Sequence, residues 1–285
     1  MNDVLSPDAS RRRQVEIEGQ LAQRLTEASA SERRRLYGQV YDQVYDMHLT
    51  REPLQLDFGA RIELVKFLRK LTRAGDSVLE VGCGGGLLAI ELARQGRQVL
   101  GVDVSARILE QAHQRAGCLP GLTFALTEGT DLPAADDSFD LAYSVEVIEH
   151  LHADDVSSHL REVRRVLKPG GHLWLLTPNR LDSIGAAVRF GVALEPAADI
   201  HLKEWTYAEL AAQLRAAGFT SLRSPWRNAT MAWLPLLPAR WFAAAERLPP
   251  RLLGHRSVRS FAGLVACSIV AEKPQDKPQD FAARD

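Results

Sequence analysis

A short apolar run, Val78-Leu79-Glu80-Val81, stops at Gly82-Cys83-Gly84-Gly85-Gly86 and gives way at Leu87 to a helical pattern. A buried strand that breaks at glycines and enters a helix commits the chain to an α/β sheet whose strand ends hold a ligand. Gly82, Gly84 and Gly86 allow a sharp turn and leave room where a Cβ would collide with a bound group. The spacing is GxGxG. A dinucleotide fingerprint needs its third glycine where Leu87 stands, because it seats a pyrophosphate on the helix N-terminus. Glu80, two residues before the first glycine, is a poor neighbour for a phosphate and a good acceptor for an ammonium. The turn therefore reads as a nucleoside-cofactor site of another kind.

Downstream, short apolar runs alternate with helical periodicity, the pattern of βαβ units. It predicts strands over 77–81, 98–102, 122–126, 139–144, 172–177, 220–224 and 264–271, with helices over 87–95, 106–116, 154–167 and 207–217. Thr206 is the expected cap of the last helix, and Lys168-Pro169-Gly170-Gly171 reads as a tight reversal. Upstream, helices are expected over 11–28, 31–49 with Ser31 as cap, and 59–72.

The glycine turn and its companions resemble the class I S-adenosylmethionine (SAM) dependent methyltransferases along roughly residues 75–177, and in particular the ubiquinone-biosynthesis O-methyltransferase group. The resemblance implies a Rossmann-like seven-stranded sheet, mostly parallel with an antiparallel edge pair, and SAM as cofactor. Residues 11–73 then form an N-terminal helical cap and 74–273 the SAM-binding domain, with disordered tails at 1–10 and 274–285. Asp103, ending the second strand about 20 residues past the glycines, is the ribose ligand, followed by Val104; the alternative is a helix cap, for which Ser105 is better placed. The turn Glu128-Gly129-Thr130-Asp131-Leu132-Pro133 looks like the family's adenine turn, with Asp131 on the exocyclic amine and Leu132 over the ring; an Asx turn is the plain alternative. Tyr37, Tyr41 and Tyr45 recur every four residues on one helix face. They are either core or, for Tyr41 and Tyr45, the wall of the SAM pocket, where an aromatic face attracts a sulfonium.

Methyl transfer from a sulfonium is an in-line displacement, and a hydroxyl acceptor must lose its proton to a base or a metal. Titratable groups after the fourth strand are the candidates: Glu146, Glu149 and His150, spaced i, i+3, i+4. The resemblance names them as a divalent-metal set, with magnesium as the ion. A polar helix end is the structural alternative, and His150 as general base is the preferred functional reading. His201, in the run 199–206, is a second candidate for positioning the acceptor or taking its proton. Asp140 reads as structural.

Composition narrows the partners. A net charge of −1 gives no basic field for nucleic acid, and the three cysteines lie far apart with no zinc-like spacing. The polar N-terminus and the lack of a long apolar run point to a cytoplasmic enzyme. An insertion over 225–263 is far longer than a hairpin loop. It carries Trp226, Trp233, Trp241 and Phe242, with six arginines against Glu246 alone. Its prolines at 235, 238, 249 and 250 favour short helices, and it reads as a lid over an apolar acceptor, a satellite core, or a peripheral contact with anionic membrane. The expected reaction is O-methylation of a small, lipophilic, hydroxyl-bearing molecule. N-methylation of a small amine or amino sugar shares the cofactor site; an NAD(P)-dependent oxidoreductase and a non-catalytic SAM-binding protein are the other classes. Oligomeric state has no signal in the chain.

Overall fold

The computed structural model describes residues 7–49, 58–181, 200–227, 233–253 and 266–275. Expectations for 1–6, 228–232, 254–265 and 276–285, Arg256, Arg259 and the start of the strand expected over 264–271 included, lie outside the described residues, as does the loop at 182–199. Three helices come first: α1 (Pro7–Glu27), α2 (Ala30–Leu49) and α3 (Phe58–Leu71). Helix α1 thus takes in residues 7–10, which the sequence assigns to a tail. At the start of α2, Ser29 rather than Ser31 meets the first turn, its backbone N–H and hydroxyl both donating to Glu32.

The alternating part of the chain folds as expected: β1 (Ser77–Val81), α4 (Leu87–Arg94), β2 (Gln98–Asp103), α5 (Ala106–Ala116), β3 (Leu122–Leu126), β4 (Phe139–Val145), a 3-10 turn at Ile148–His150, α6 (Ala153–Val166) and β5 (Leu167–Pro178). Then come α7 (Tyr207–Ala216), β6 (Thr220–Arg227), β7 (Trp233–Pro238), α8 (Ala239–Ala245), α9 (Pro250–Leu253) and β8 (Ala266–Glu272). Thr206 caps α7 in a reciprocal capping box with Glu209.

The sheet has eight strands, not seven, in the order β3-β2-β1-β4-β5-β8-β6-β7. The first five are parallel; β8 runs antiparallel to β5, and β6 antiparallel to both β8 and β7. The extra strand comes from the insertion. Pro235 and Pro238 are tolerated in it because an edge strand has one side without ladder partners for a missing N–H to disturb. The segment Lys168-Pro169-Gly170-Gly171 is likewise part of β5 rather than a reversal. Gly170 N–H donates to the Lys273 carbonyl and Lys273 N–H to the Gly171 carbonyl, so the glycine pair extends the ladder to the end of β8.

Strand alternation divides the core into two layers. Leu79, Ala142, Leu173 and Leu175 pack with Val156, Leu160 and Val163 of α6 and Leu210 and Leu214 of α7. Val78, Leu141, Tyr143 and Trp174 pack with Leu64, Phe67 and Leu68 of α3 and Leu88 and Leu92 of α4. Helices α1 and α2 join the first layer through Leu21, Leu25, Tyr37 and Val40.

A buried polar clamp holds them there. Arg33 donates to both carboxylate oxygens of Asp155 at 2.8 and 3.1 Å, the Tyr37 hydroxyl donates to Asp155 at 2.9 Å, and His152 N–H donates to the Tyr37 oxygen at 2.8 Å. Burial pushes the Asp155 carboxyl up, but the Arg33 and Tyr37 bonds outweigh it and hold the carboxyl below its ordinary range. Arg33→Ala leaves Asp155 without its cation and is expected to cost roughly 3 kcal/mol. Tyr37→Phe removes one hydrogen bond and costs about 1 kcal/mol. Urea denaturation of the two variants gives that ranking, and equal midpoints would refute the clamp.

Candidate active site

One concavity opens at the carboxyl ends of β1 to β4. Its wall is Val81 and Gly82 from β1 and its turn, Asp103 and Val104 after β2, Thr127 and Gly129 after β3, and Glu146, Val147, His150 and Leu151 after β4, with Tyr37, Tyr41 and Tyr45 from α2 and His159 from α6. This is the crevice where open α/β sheets place ligands. The wall holds two carboxylates and no lysine or arginine, so its field suits a cationic ligand.

The glycine turn is shaped by close neighbours. Gly82 sits at φ 72°, where a Cβ would lie 2.3 Å from Val147 Cγ2; Gly86, at φ 74°, would clash with Phe124 at 2.6 Å. Gly82 and Cys83 N–H both donate to the Val102 carbonyl, which ties the turn to β2. Asp103 accepts from Gly84 N–H at 2.9 Å and from Ser105 N–H at 3.0 Å. Burial raises its carboxyl above the usual range, opposed by these backbone amides. Ser105, not Asp103, caps α5 by accepting from Ile108 N–H.

Helix α2 forms the roof. Gly38 lets it approach the Val104 carbonyl, where a Cβ would stand at 2.8 Å. Asp42 accepts from the Ser105 hydroxyl at 2.5 Å, and Asp46 pairs with Arg107 at 2.7 Å. The two acids of the Tyr-Asp pairs therefore anchor the helix, while Tyr41 and Tyr45 turn their rings, 6.5 Å apart, into the concavity.

Several sequence expectations are redrawn. Glu80 is buried below the turn, accepts from Ala89 N–H at 3.0 Å, and is absent from the wall. It ties β1 to the first turn of α4. Asp131 is exposed and Leu132 is buried in the core, and neither lines the concavity. Thr127 donates to the Asp131 carbonyl at 2.6 Å and so closes this loop, leaving Thr127 and Gly129 as its wall residues. The sequence pointed to Asp131 and Leu132 and missed these two, though their place directly after β3 is the signal that marks them. His159 had no such signal, since it lies on the buried stripe of α6.

After β4, Glu146 takes a left-handed φ of 55°, a conformation that non-glycine residues seldom adopt and that clusters at functional positions. A clasp then joins segments fifty residues apart. Leu202 and Lys203 N–H donate to the Glu149 carbonyl, and His150 Nδ1 donates to the Ile200 carbonyl at 2.7 Å. The carbonyl partner fixes the proton of the neutral ring on Nδ1 and leaves Nε2 as its basic nitrogen. His201 packs behind His150, ring centroids 5.0 Å apart, and Tyr41 meets His150 edge-on at 5.7 Å. His201 is not a wall residue.

Among the described residues, Glu149, His150 and His201 bring their ligand atoms within 4.8 Å of one another; Glu146 is not in that group. Glu149 is buried, accepts from the Thr177 hydroxyl at 2.8 Å, and is raised to about 7 by burial. Two imidazoles and one carboxylate suit zinc or iron; magnesium takes oxygen ligands. The set therefore does not fit the expected magnesium ion.

Comparison with known proteins agrees with this geometry. The methyltransferase domain family matches residues 79–175. The chain is 34% identical over 195 residues to the ubiquinone biosynthesis O-methyltransferase of Xanthomonas oryzae pv. oryzae, covering 62% of this chain and 75% of that protein. It is 32% identical over 204 residues to the same-named protein of Xylella fastidiosa, covering 65% and 78%. In three dimensions it is similar to the [4+2]-cyclase SpnF, with a TM-score of 0.57 at 21% identity over 85% of this chain and 97% of that one. The chain belongs to the class I SAM-dependent methyltransferases, and it is an enzyme that transfers the methyl group of SAM. No helix among the described residues is long and apolar enough to cross a membrane.

Burial raises Glu80 from its usual 4.5 to about 8. Across that window the folded protein holds a proton that the unfolded chain has released, so stability falls as pH rises and levels off above it. Glu80→Gln should give a shallower fall between pH 4.5 and about 8. Urea midpoints measured along a pH series test this, and an unchanged slope would count against it.

Proposed function

We propose that the enzyme O-methylates a small, lipophilic, hydroxyl-bearing molecule, with His150 taking the proton. The carrying observation is the His150 ring itself, which lines the concavity with its tautomer set by the Ile200 carbonyl. The names of the relatives support oxygen as the accepting atom. In this reading Asp103 accepts the ribose hydroxyls, and the methionyl portion lies against Gly82, which lines the concavity where Gly84 and Gly86 do not. Val104 flanks the nucleoside, and the faces of Tyr41 and Tyr45 attract the sulfonium. Glu146 orients the acceptor, and His201 positions His150 from behind. SAM, when bound, would supply the methyl group on its sulfonium, and His150 Nε2 would take the proton of the acceptor hydroxyl as the carbon–oxygen bond forms and the carbon–sulfur bond breaks.

Asp103→Ala should weaken S-adenosylhomocysteine binding at least about tenfold in calorimetry while the melting temperature stays near that of the parent; each tenfold is about 1.4 kcal/mol. His150→Gln should keep that affinity and lower kcat about a hundredfold, within the range of a lost general base. Mass spectrometry of products from labelled SAM and hydroxylated or amine acceptors supplies the readout. N-methylated product formed at full rate by His150→Gln would overturn the oxygen reading.

The insertion supports a membrane contact for reaching such an acceptor. Its one acid, Glu246, faces inward, accepting from Tyr207 and Ala208 N–H, and Phe242 stacks on Tyr207 at 5.1 Å. Outside, Trp241 is 56% exposed. Arg215, Arg223 and Arg240 border a surface hollow of about 440 Å³ whose lining contains no carboxylate. Basic and aromatic residues together suit an anionic lipid surface. The protein should sediment with vesicles of anionic phospholipid and not with neutral ones, and Arg223→Gln with Arg240→Gln should reduce the bound fraction; equal sedimentation with both vesicle types would refute it.

A further inference from the structure

His159 lies at the β3 end of the concavity, on α6, with its ring in the wall beside Gly129 and Thr127. The side chain is 1% exposed. Its Nδ1 is 2.7 Å from the Gly129 carbonyl, a group that only accepts, so Nδ1 carries a proton. The neutral ring then presents a lone pair at Nε2, and that atom is buried with no protein partner. Burial pushes the imidazolium down, which agrees with a neutral ring. A buried acceptor without a donor is costly to the fold, and native proteins rarely keep one without a use. The alternative of a purely structural histidine accounts for the Gly129 bond and leaves Nε2 unexplained.

The ligand supplies the donor. If Asp103 holds the ribose, a reading taken from the proposed cofactor site, the base extends from β2 toward the β3 loop, where Thr127, Gly129 and His159 stand. Adenine carries one exocyclic amine, a donor only, and a 6-oxo purine carries an acceptor at the same place. We propose that His159 reads the 6-amino group of the cofactor through Nε2 and is the residue by which this enzyme prefers adenosyl over 6-oxo nucleosides. The Gly129 bond makes it selective, since it prevents the ring from offering a proton at Nε2 while neutral.

The test is calorimetry with S-adenosylhomocysteine and its deaminated counterpart, S-inosylhomocysteine. The parent protein should prefer the adenosyl ligand at least about tenfold, as expected when a buried hydrogen bond is exchanged for two opposed acceptors. His159→Asn retains an N–H for the Gly129 carbonyl but no acceptor beyond it, so the preference should fall to within about threefold. His159→Gln offers both an acceptor and an N–H at that place with nothing to fix which one faces the base, so it should bind both ligands with little preference. A variant acting only by loosening the loop would weaken both ligands alike and keep the ratio, which would overturn the inference. So would a parent protein with no preference. Failure of the parent to bind either ligand would instead refute the cofactor site as a whole. On the unmodified protein, the ¹⁵N resonance of His159 Nε2 should shift with the adenosyl ligand and stay with the inosyl one, a readout independent of variant folding.

Discussion

The parallel register around β1 is the constraint on which the site depends. Val81 stands opposite Val102 on one side and Ser144 on the other, so the chain leaves three neighbouring strands at one level. That level brings the glycine turn, Asp103 and Glu146 around a single opening. Backbone amides at the turn then have a nearby carboxylate to donate to, and Asp103 takes the Gly84 N–H. Gly82 and Gly86 suit this crowding because they hold positive φ values and carry no Cβ where a neighbouring side chain stands.

The roof comes from elsewhere in sequence. Helix α2 lies over the opening because Arg33 and Tyr37 hold Asp155 of α6, Gly38 meets the backbone after β2, and Asp42 and Asp46 hold the start of α5. Buried clamp and surface pairs contribute unequally. The Arg33–Asp155 pair is removed from water and penalises any break, whereas Arg107–Asp46 is more than half exposed and contributes little to stability.

The same scaffold serves different chemistry, since a [4+2]-cyclase shares the fold at low identity. Reaction therefore belongs to side chains added to the sheet ends. Here the clasp between residues 149–150 and 200–203 is such an addition. It sets one imidazole's tautomer and brings a second against it edge-on, a pairing that no local pattern announces.

The chain by itself determined the parallel sheet, nearly every strand and helix within it, and the glycine turn with Asp103. Those follow from short-range rules: apolar period, caps such as Thr206, and the room a glycine leaves. It also marked Tyr41, Tyr45 and His150, because aromatic spacing and the end of a strand are readable along a line. Tertiary structure decided the rest. Glu80 turned inward because an amide of α4 lay above it, and Asp131 turned outward because Thr127 closed its loop. His201 replaced Glu146 beside Glu149 and His150, the insertion added an eighth strand to an exposed edge, and His159 came to the wall from a helix whose pattern reads only as core. Each of these depends on a partner dozens of residues away or on which side of a turn faces water, and hydrogen-bond satisfaction across such distances has no period in sequence.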